Sequence, residues 1–234
     1  MNINCDVGEG VFNEDLLLKY IQSCNIACGG HTGDAASMRK IVNLALKYKV
    51  KIGAHPSYPD VENFGRKSIA MEPEQLIQTI EKQLDELNSI VKELRGKLHH
   101  IKPHGALYND IAKNKDLANV FLVAIEKYKE TSKLYVPYGS EIEKLALKEG
   151  FQIVYEAFAD RNYNDDLSLV SRKEPQAVIT DPEKMLQHVR EIYSKRTVTT
   201  LNGKKIKIKA TTFCVHSDSK NAVEMVKVLN EKFS

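Results

Sequence analysis

The feature that most constrains the fold is a regular alternation of short apolar runs with helical patterns. Seven runs read as strands, at 2–6, 25–28, 51–55, 98–103, 133–137, 152–157 and 206–215. Strands that alternate with helices over this length favour a parallel sheet. Seven such units in 234 residues predict one α/β domain over 1–234, an irregular (β/α) TIM-like barrel with about seven parallel strands. An open doubly wound sheet is the alternative.

Helical patterns occupy the segments between these strands. They are predicted at 16–21, 35–48, 116–128, 140–148, 182–193 and 221–233, with a further long helix that begins at Pro73. Proline suits the first helical turn, and Asp181 is the expected N-cap before Pro182. The run 204–209 alternates lysine with isoleucine and predicts an edge strand with one solvated face.

Polar residues concentrate immediately after the predicted strands. The strand ends read NCDVGEG, ACGGHTGD, GAHPSYPD followed by FGR, IKPHGALY, EAFADRNY and CVHSD. Because parallel strands of a barrel end at one face, where active sites are built, these loops would project their side chains into one cavity. Four of the seven histidines lie there: His31, His55, His104 and His216. This pattern predicts an enzyme site without naming its reaction.

Composition and missing motifs exclude several other classes. The 34 basic and 31 acidic residues are scattered, which argues against a nucleic-acid partner. No stretch approaches the roughly 18 apolar residues of a membrane span, and the start lacks the features of a signal peptide, so we expect a cytoplasmic protein. Cys5, Cys24, Cys28 and Cys214 are then predicted to be buried free thiols. The sequence contains no phosphate loop, no dinucleotide-binding glycine motif and no nucleophile elbow.

The strand-end segments resemble the LamB/YcsF family, which forms the A subunit of prokaryotic 5-oxoprolinase. The matching segments are NCDVGEG, NIACGGHTGD, GAHPSYPD with FGR, IKPHGALYN, EAFADRNY with LVSR, and CVHSD. The resemblance implies a barrel similar to the glycoside hydrolase/deacetylase superfamily. It also implies ATP-coupled opening of 5-oxo-L-proline to L-glutamate together with partner subunits B and C, with ATP and Mg²⁺ as co-substrate. The sequence leaves open whether the chain also assembles with copies of itself.

Opening a lactam requires an activated carbonyl group and a nucleophilic water, and negative charge develops in either step. The residues predicted to neutralise that charge are Lys102, His104 and Arg161. A planar guanidinium at Arg161 or Arg66 suits the substrate carboxylate. The candidate general bases are Asp6, Glu9 and Asp160. The candidates for proton transfer are His31, His55 and His216, and Tyr108 and Glu156 complete the predicted substrate-binding set.

Structural roles and two other functions compete with this interpretation. Asp34 and Asp218 could cap helices, Asp6 could hold a loop, Arg66 could form a structural ion pair, and His31 could be a buried core histidine. Asp6, His31 and His55 together would suit a divalent metal ion, although their spacing shows no local metal motif. A stand-alone metal-dependent amidohydrolase or deacetylase is therefore one alternative, and a non-catalytic substrate-binding subunit is the other.

Overall fold

A computed structural model describes residues 1–219 and 221–233. Seven parallel strands close into a barrel. In order around the barrel they are β1 Asn2–Val7, β2 Ser23–Ala27, β3 Lys51–His55, β4 Leu98–Ile101, β5 Lys133–Pro137, β6 Ile153–Phe158 and β9 Thr212–Cys214. Because β9 pairs with both β1 and β6, the sheet has no free edge there. The predicted seven-stranded (β/α) barrel is confirmed, and the open sheet was wrong.

Helices surround the barrel and follow the strands. They are α1 Glu14–Leu17, α2 Ala35–Tyr48, α3 Pro73–Glu93, α4 Gly105–Lys113, α5 Lys115–Ala124, α6 Glu141–Lys148, α7 Pro182–Arg190 and α8 Ala222–Phe233. Asp34 caps α2 and Asp181 caps α7, as predicted. Helix α4 is not predicted from the sequence, because the polar residues after β4 resemble a site loop. A π-helical turn, Glu191–Lys195, extends α7.

The last predicted strand, 206–215, is two separate strands. Lys205–Lys207 forms β8, which pairs antiparallel with β7, Thr197–Thr199, outside the barrel. Thr212–Cys214 forms β9 and closes the barrel. Alternating lysine and isoleucine predicted a strand with one wet face, and β8 is such a strand. The pattern does not specify which strand β8 pairs with. The prediction of one continuous strand over 206–215 was therefore wrong.

The barrel interior is polar where most such barrels are filled with branched apolar residues. Its buried polar side chains are Asn4, Asn25, His100, Lys102, Glu156 and Thr212. Gly53 makes this filling possible, because it lies between Asn25 and His100 in the strand register. A Cβ at Gly53 would lie 2.1 Å from His100 Nε2. The missing side chain therefore lets the His100 ring cross β3.

Two further expectations concern the cysteines and membrane spans. All four cysteines are buried free thiols, as predicted. Among the described residues, no helix combines the length and the apolar character needed to cross a bilayer.

Candidate active site

A cavity of 470 Å³ lies at the carboxyl ends of the barrel strands. Nine of the twelve predicted site residues line it: Asp6, Glu9, His55, Arg66, Lys102, His104, Tyr108, Arg161 and His216. The lining contains six lysines and arginines, namely Arg66, Lys102, Lys113, Arg161, Arg172 and Lys173, against the three acidic residues Asp6, Glu9 and Asp218. This excess of positive charge favours an anionic ligand.

Lys102 lies at the floor of this cavity between two carboxylates. Its side chain is 2% exposed, and its Nζ lies 2.9 Å from Asp6 Oδ1 and 3.1 Å from Glu156 Oε1. Burial alone would lower the pKa of Lys102, but the nearby Asp6 carboxylate and other anionic groups raise it well above its usual value. Burial likewise opposes ionisation of Asp6, yet His55 and Lys102 hold its pKa well below the ordinary range. The site therefore contains a fixed ammonium ion and a fixed carboxylate.

A chain of hydrogen bonds through the side chains of Asn4, Asn25 and His100 supports this ion pair. Asn25 Nδ2 donates to Asp6 Oδ1 at 2.7 Å and to Asn4 Oδ1 at 2.8 Å. Because the Asn25 carbonyl oxygen can only accept, His100 Nε2, 2.7 Å away, must donate to it. Burial keeps the pKa of His100 well below its usual value, so this ring is neutral. The His100 tautomer thus sets the direction of the Asn25 amide and its contact with Asp6.

Three imidazole rings and Glu9 form a layer above Asp6. His31 and His104 stack in parallel with their centroids 3.6 Å apart, and His55 meets both rings edge-on. Glu9 Oε1 lies 3.1 Å from His31 Nε2 and 3.5 Å from His104 Nδ1. Burial lowers the pKa of His31 to about 4 and that of His104 well below its ordinary value. Burial and the charge on Asp6 raise the pKa of Glu9 to about 7.

Gly65 brings the neighbouring loop against this layer. Its φ of +61° favours glycine, and a Cβ there would lie 2.9 Å from both His31 Cβ and His104 Cδ2. The close approach places the Phe64 carbonyl oxygen 2.9 Å from His104 Nε2. The FGR segment therefore has a structural reason to contain glycine at this position.

The predicted metal ligands Asp6, His31 and His55 are not the set that converges. Within the described part of the chain, Glu9, His55 and His104 bring one donor atom each to within 4.8 Å of one another. His31 is completely buried and does not line the cavity. Its two ring nitrogens contact Ser57 and Glu9 on the side away from the cavity. Two imidazoles and a carboxylate do suit a divalent transition metal ion.

Asp160 lies behind His216 and is not among the cavity-lining residues, so the structure does not bring this candidate general base to the cavity wall with Asp6 and Glu9. Its carboxylate is fully buried and accepts hydrogen bonds from the backbone N–H and Nδ1 of His216 and from Ser219 Oγ. Burial opposes ionisation of Asp160, but the contacts with His216 and Ser219 lower its pKa to about 2. The bond to Nδ1 leaves His216 Nε2 as the nitrogen free for proton transfer.

The arginines divide between structural and exposed positions. Arg161 donates from Nε to the carbonyl of Ala177 and from Nη2 to the carbonyl of Val170, so two of its nitrogens brace a loop. Arg66 pairs with Asp218 at the rim, and Arg172 pairs with the same carboxylate. Asp218 is thus an ion-pair partner of two arginines. Arg172 belongs to the LVSR segment, but the sequence alone did not identify it as a site residue.

A narrow side chamber adjoins the main cavity. Its volume is 40 Å³, and its walls include Tyr108, Tyr138, Phe158 and Tyr163 together with Glu156. Within the described residues, Glu156 Oε2 and the Tyr108 hydroxyl oxygen are both buried and have no hydrogen-bond partner at ordinary distance. Burial and the neighbouring Glu156 raise the pKa of Tyr108 well above its usual value. Tyr108 and Glu156, both predicted to bind substrate, therefore lie together in the wall of this side chamber.

The fold and this cavity define a (β/α) barrel protein with a polar, cation-rich site at the carboxyl ends of its strands. A family model described as the LamB/YcsF family matches residues 1–234. The chain therefore belongs to the LamB/YcsF family, and the resemblance found in the sequence is confirmed.

Two relatives and one solved structure support this assignment. The chain is 39% identical over 239 residues to a protein from Brevibacillus brevis named as the A subunit of 5-oxoprolinase, with 100% of this chain and 94% of the relative covered. A protein of the same name from Geobacillus thermodenitrificans is 39% identical over 234 residues, covering 98% and 91%. The crystal structure of a lactam utilization protein from Thermus thermophilus superposes with a TM-score of 0.90 at 30% identity, covering 99% and 96%.

Proposed function

We propose that this chain is the A subunit of an ATP-dependent 5-oxoprolinase and opens 5-oxo-L-proline to L-glutamate. The observation that carries the proposal is the buried Lys102 ammonium, fixed by two carboxylates at the floor of a cation-rich cavity. The names of the two relatives support the substrate. In this reaction the lactam C–N bond and one phosphoanhydride bond of ATP are hydrolysed.

The cavity suits a small anionic lactam. Its volume of 470 Å³ lies in the ordinary range for small-molecule sites. The substrate carries one carboxylate, and Arg172 and Arg66 at the rim offer guanidinium groups that bind carboxylates with two parallel hydrogen bonds. Asp218, which pairs with both arginines, would be the group that the substrate carboxylate replaces.

The reaction needs a cation near the lactam oxygen and a group that transfers protons. Lys102 is the buried cation, and a preorganised charge in a water-poor site stabilises a developing oxyanion without reorganisation. His216 is the proton-transfer group, because Asp160 fixes its Nδ1–H and leaves Nε2 available. Asp160 then acts as a positioning residue for His216.

ATP, with Mg²⁺, is the proposed co-substrate, and subunits B and C are the proposed partners. The sequence has no phosphate loop, so we expect the partners to supply most of the nucleotide site. The basic residues at the cavity wall, Lys113, Arg172 and Lys173, would meet the transferred phosphoryl group.

The test mixes this chain with subunits B and C, 5-oxoproline and ATP, and measures glutamate and phosphate together. The Lys102→Met variant, assayed under conditions where circular dichroism shows it folded, should lose more than about 100-fold in turnover, the loss expected when a transition-state cation is removed. The matched control is Lys144→Met, whose lysine pairs with Glu141 on the solvent side of α6.

Three outcomes separate the candidate functions. Glutamate formation that depends on ATP, on both partners and on Lys102 supports the proposal. Turnover by the isolated chain without ATP would instead favour the stand-alone amidohydrolase. Full activity of the Lys102→Met complex would refute the assigned site and favour a non-catalytic binding subunit.

A further inference from the structure

The three imidazoles of the site share an unusual hydrogen-bonding pattern. His55 Nδ1 lies 2.7 Å from the Lys102 carbonyl oxygen, and His104 Nε2 lies 2.9 Å from the Phe64 carbonyl oxygen. A carbonyl oxygen can only accept, so each ring must donate its N–H outward. His31 follows the same pattern, because its Nδ1 faces Ser57 Oγ, whose proton is already donated to the Tyr58 carbonyl.

The second ring nitrogens of His55 and His104 therefore direct their lone pairs toward each other. His55 Nε2 and His104 Nδ1 are 2.9 Å apart. With the outward N–H of each ring donated to a carbonyl oxygen, the two inward nitrogens face each other at that distance as acceptors. Glu9 Oε1 brings a carboxyl oxygen to 3.5 Å from His104 Nδ1. Two lone pairs at this distance repel each other unless a cation, either a proton or a metal ion, lies between them. The third donor, from Glu9, brings all three atoms within 4.8 Å of one another, as the ligands of one metal ion are.

We propose that Glu9, His55 and His104 bind a divalent transition metal ion of the zinc type. Two imidazole nitrogens and one carboxylate are the protein ligands of one common class of catalytic zinc site, which keeps a further position open. The carbonyls of Lys102 and Phe64 are the outer partners that fix the ligand tautomers. All three ligands line the cavity, so the open position faces the space where substrate would lie.

The donor types select the class of metal. Magnesium and calcium prefer oxygen ligands, whereas imidazole suits zinc, cobalt, nickel and iron. Asp6 Oδ2 lies 3.4 Å from His55 Nε2 and adds negative charge nearby, although Asp6 Oδ1 is already engaged by Lys102 and Asn25. A bound ion would supply a Lewis acid that polarises a carbonyl oxygen.

This inference stands on the tautomers and distances alone and does not rest on the proposed 5-oxoprolinase activity. Its test therefore uses this full-length chain by itself, without substrate or partners. Protein treated with chelator and then freed of it is titrated with ZnCl₂ by calorimetry, with MgCl₂ as a contrasting ion. A parallel titration with CoCl₂ follows the visible absorption bands that report nitrogen ligation.

We expect one zinc ion per chain and no comparable magnesium binding. His55→Gln and His104→Gln should each weaken zinc binding by more than about 100-fold, since even the loss of an outer partner costs about 10–100-fold. Glu9→Gln tests the carboxylate without altering a ring. The matched control is Glu141→Gln, because Glu141 pairs with Lys144 on α6, does not line the cavity and should leave binding unchanged.

Circular dichroism of each variant separates lost ligation from lost folding, and Glu9→Gln keeps the test decisive if a histidine variant fails to fold. Zinc binding by the native chain no tighter than by Glu9→Gln and a folded histidine variant would overturn the proposal. A shared proton between His55 and His104 would then be the cation. Loss of the proposed 5-oxoprolinase activity in the complex assay, with zinc binding retained, would leave this inference standing.

Discussion

Replacing Lys102 by methionine should strongly destabilise the protein, because the substitution leaves two buried carboxylates without their shared cation. Lys102 Nζ lies 2.9 Å from Asp6 and 3.1 Å from Glu156, and all three side chains are 8% exposed or less. At an effective dielectric constant of about 20, each contact is worth about 5 kcal/mol of Coulomb attraction before desolvation is subtracted.

Desolvation offsets much of that attraction in the native protein, so the pair itself contributes little net stability. Removing one partner is different, because the cost of burying the remaining charges stays while the compensation is lost. Such changes destabilise by about 3–5 kcal/mol. For a protein with a typical unfolding free energy of about 5–15 kcal/mol, that is a large fraction of the total.

The assay is urea unfolding at neutral pH followed by circular dichroism, comparing Lys102→Met with Lys144→Met. The exposed pair of Lys144 with Glu141 should contribute within about 0.5 kcal/mol. Adding Asp6→Asn to Lys102→Met removes one stranded carboxylate and should recover about 1 kcal/mol or more. A loss below about 1 kcal/mol for Lys102→Met, or further destabilisation by Asp6→Asn, would refute this account of the buried cluster.

Three further predictions follow from the site. Gly53→Ala pushes a methyl group against His100, so we expect about 1–3 kcal/mol lower stability by urea unfolding, and an unchanged midpoint would contradict this steric reason. The pKa of Asp160 is lowered to about 2, so its stabilisation is complete above about pH 4 and is lost as pH falls toward 2; Asp160→Asn should flatten that decline, and parallel acid-unfolding curves would rule it out. If Arg172 binds the substrate carboxylate, Arg172→Met should raise KM about 10-fold in the complex assay with little change in kcat, and an unchanged KM would exclude that role.

Much of the architecture follows from the sequence alone, because strand and helix patterns depend on local spacing. The alternation of apolar runs predicted seven parallel strands, and the capping residues Asp34 and Asp181 predicted two helix starts. Because parallel strands of a barrel end at one face, the sequence also predicted that the polar strand-end residues share one cavity. Nine of the twelve predicted residues line that cavity. The family resemblance rested on the same strand-end segments.

Tertiary structure decided which of those side chains touch. The register of the closed barrel sets Gly53 between Asn25 and His100, and no local pattern reveals that a missing side chain there opens a path across β3. For the same reason the sequence could not place Asp160 behind His216 or Glu9 between His31 and His104. Hydrogen-bond direction depends on atoms contributed by strands far apart in the chain, so the inward lone pairs of His55 and His104 exist only in the folded barrel.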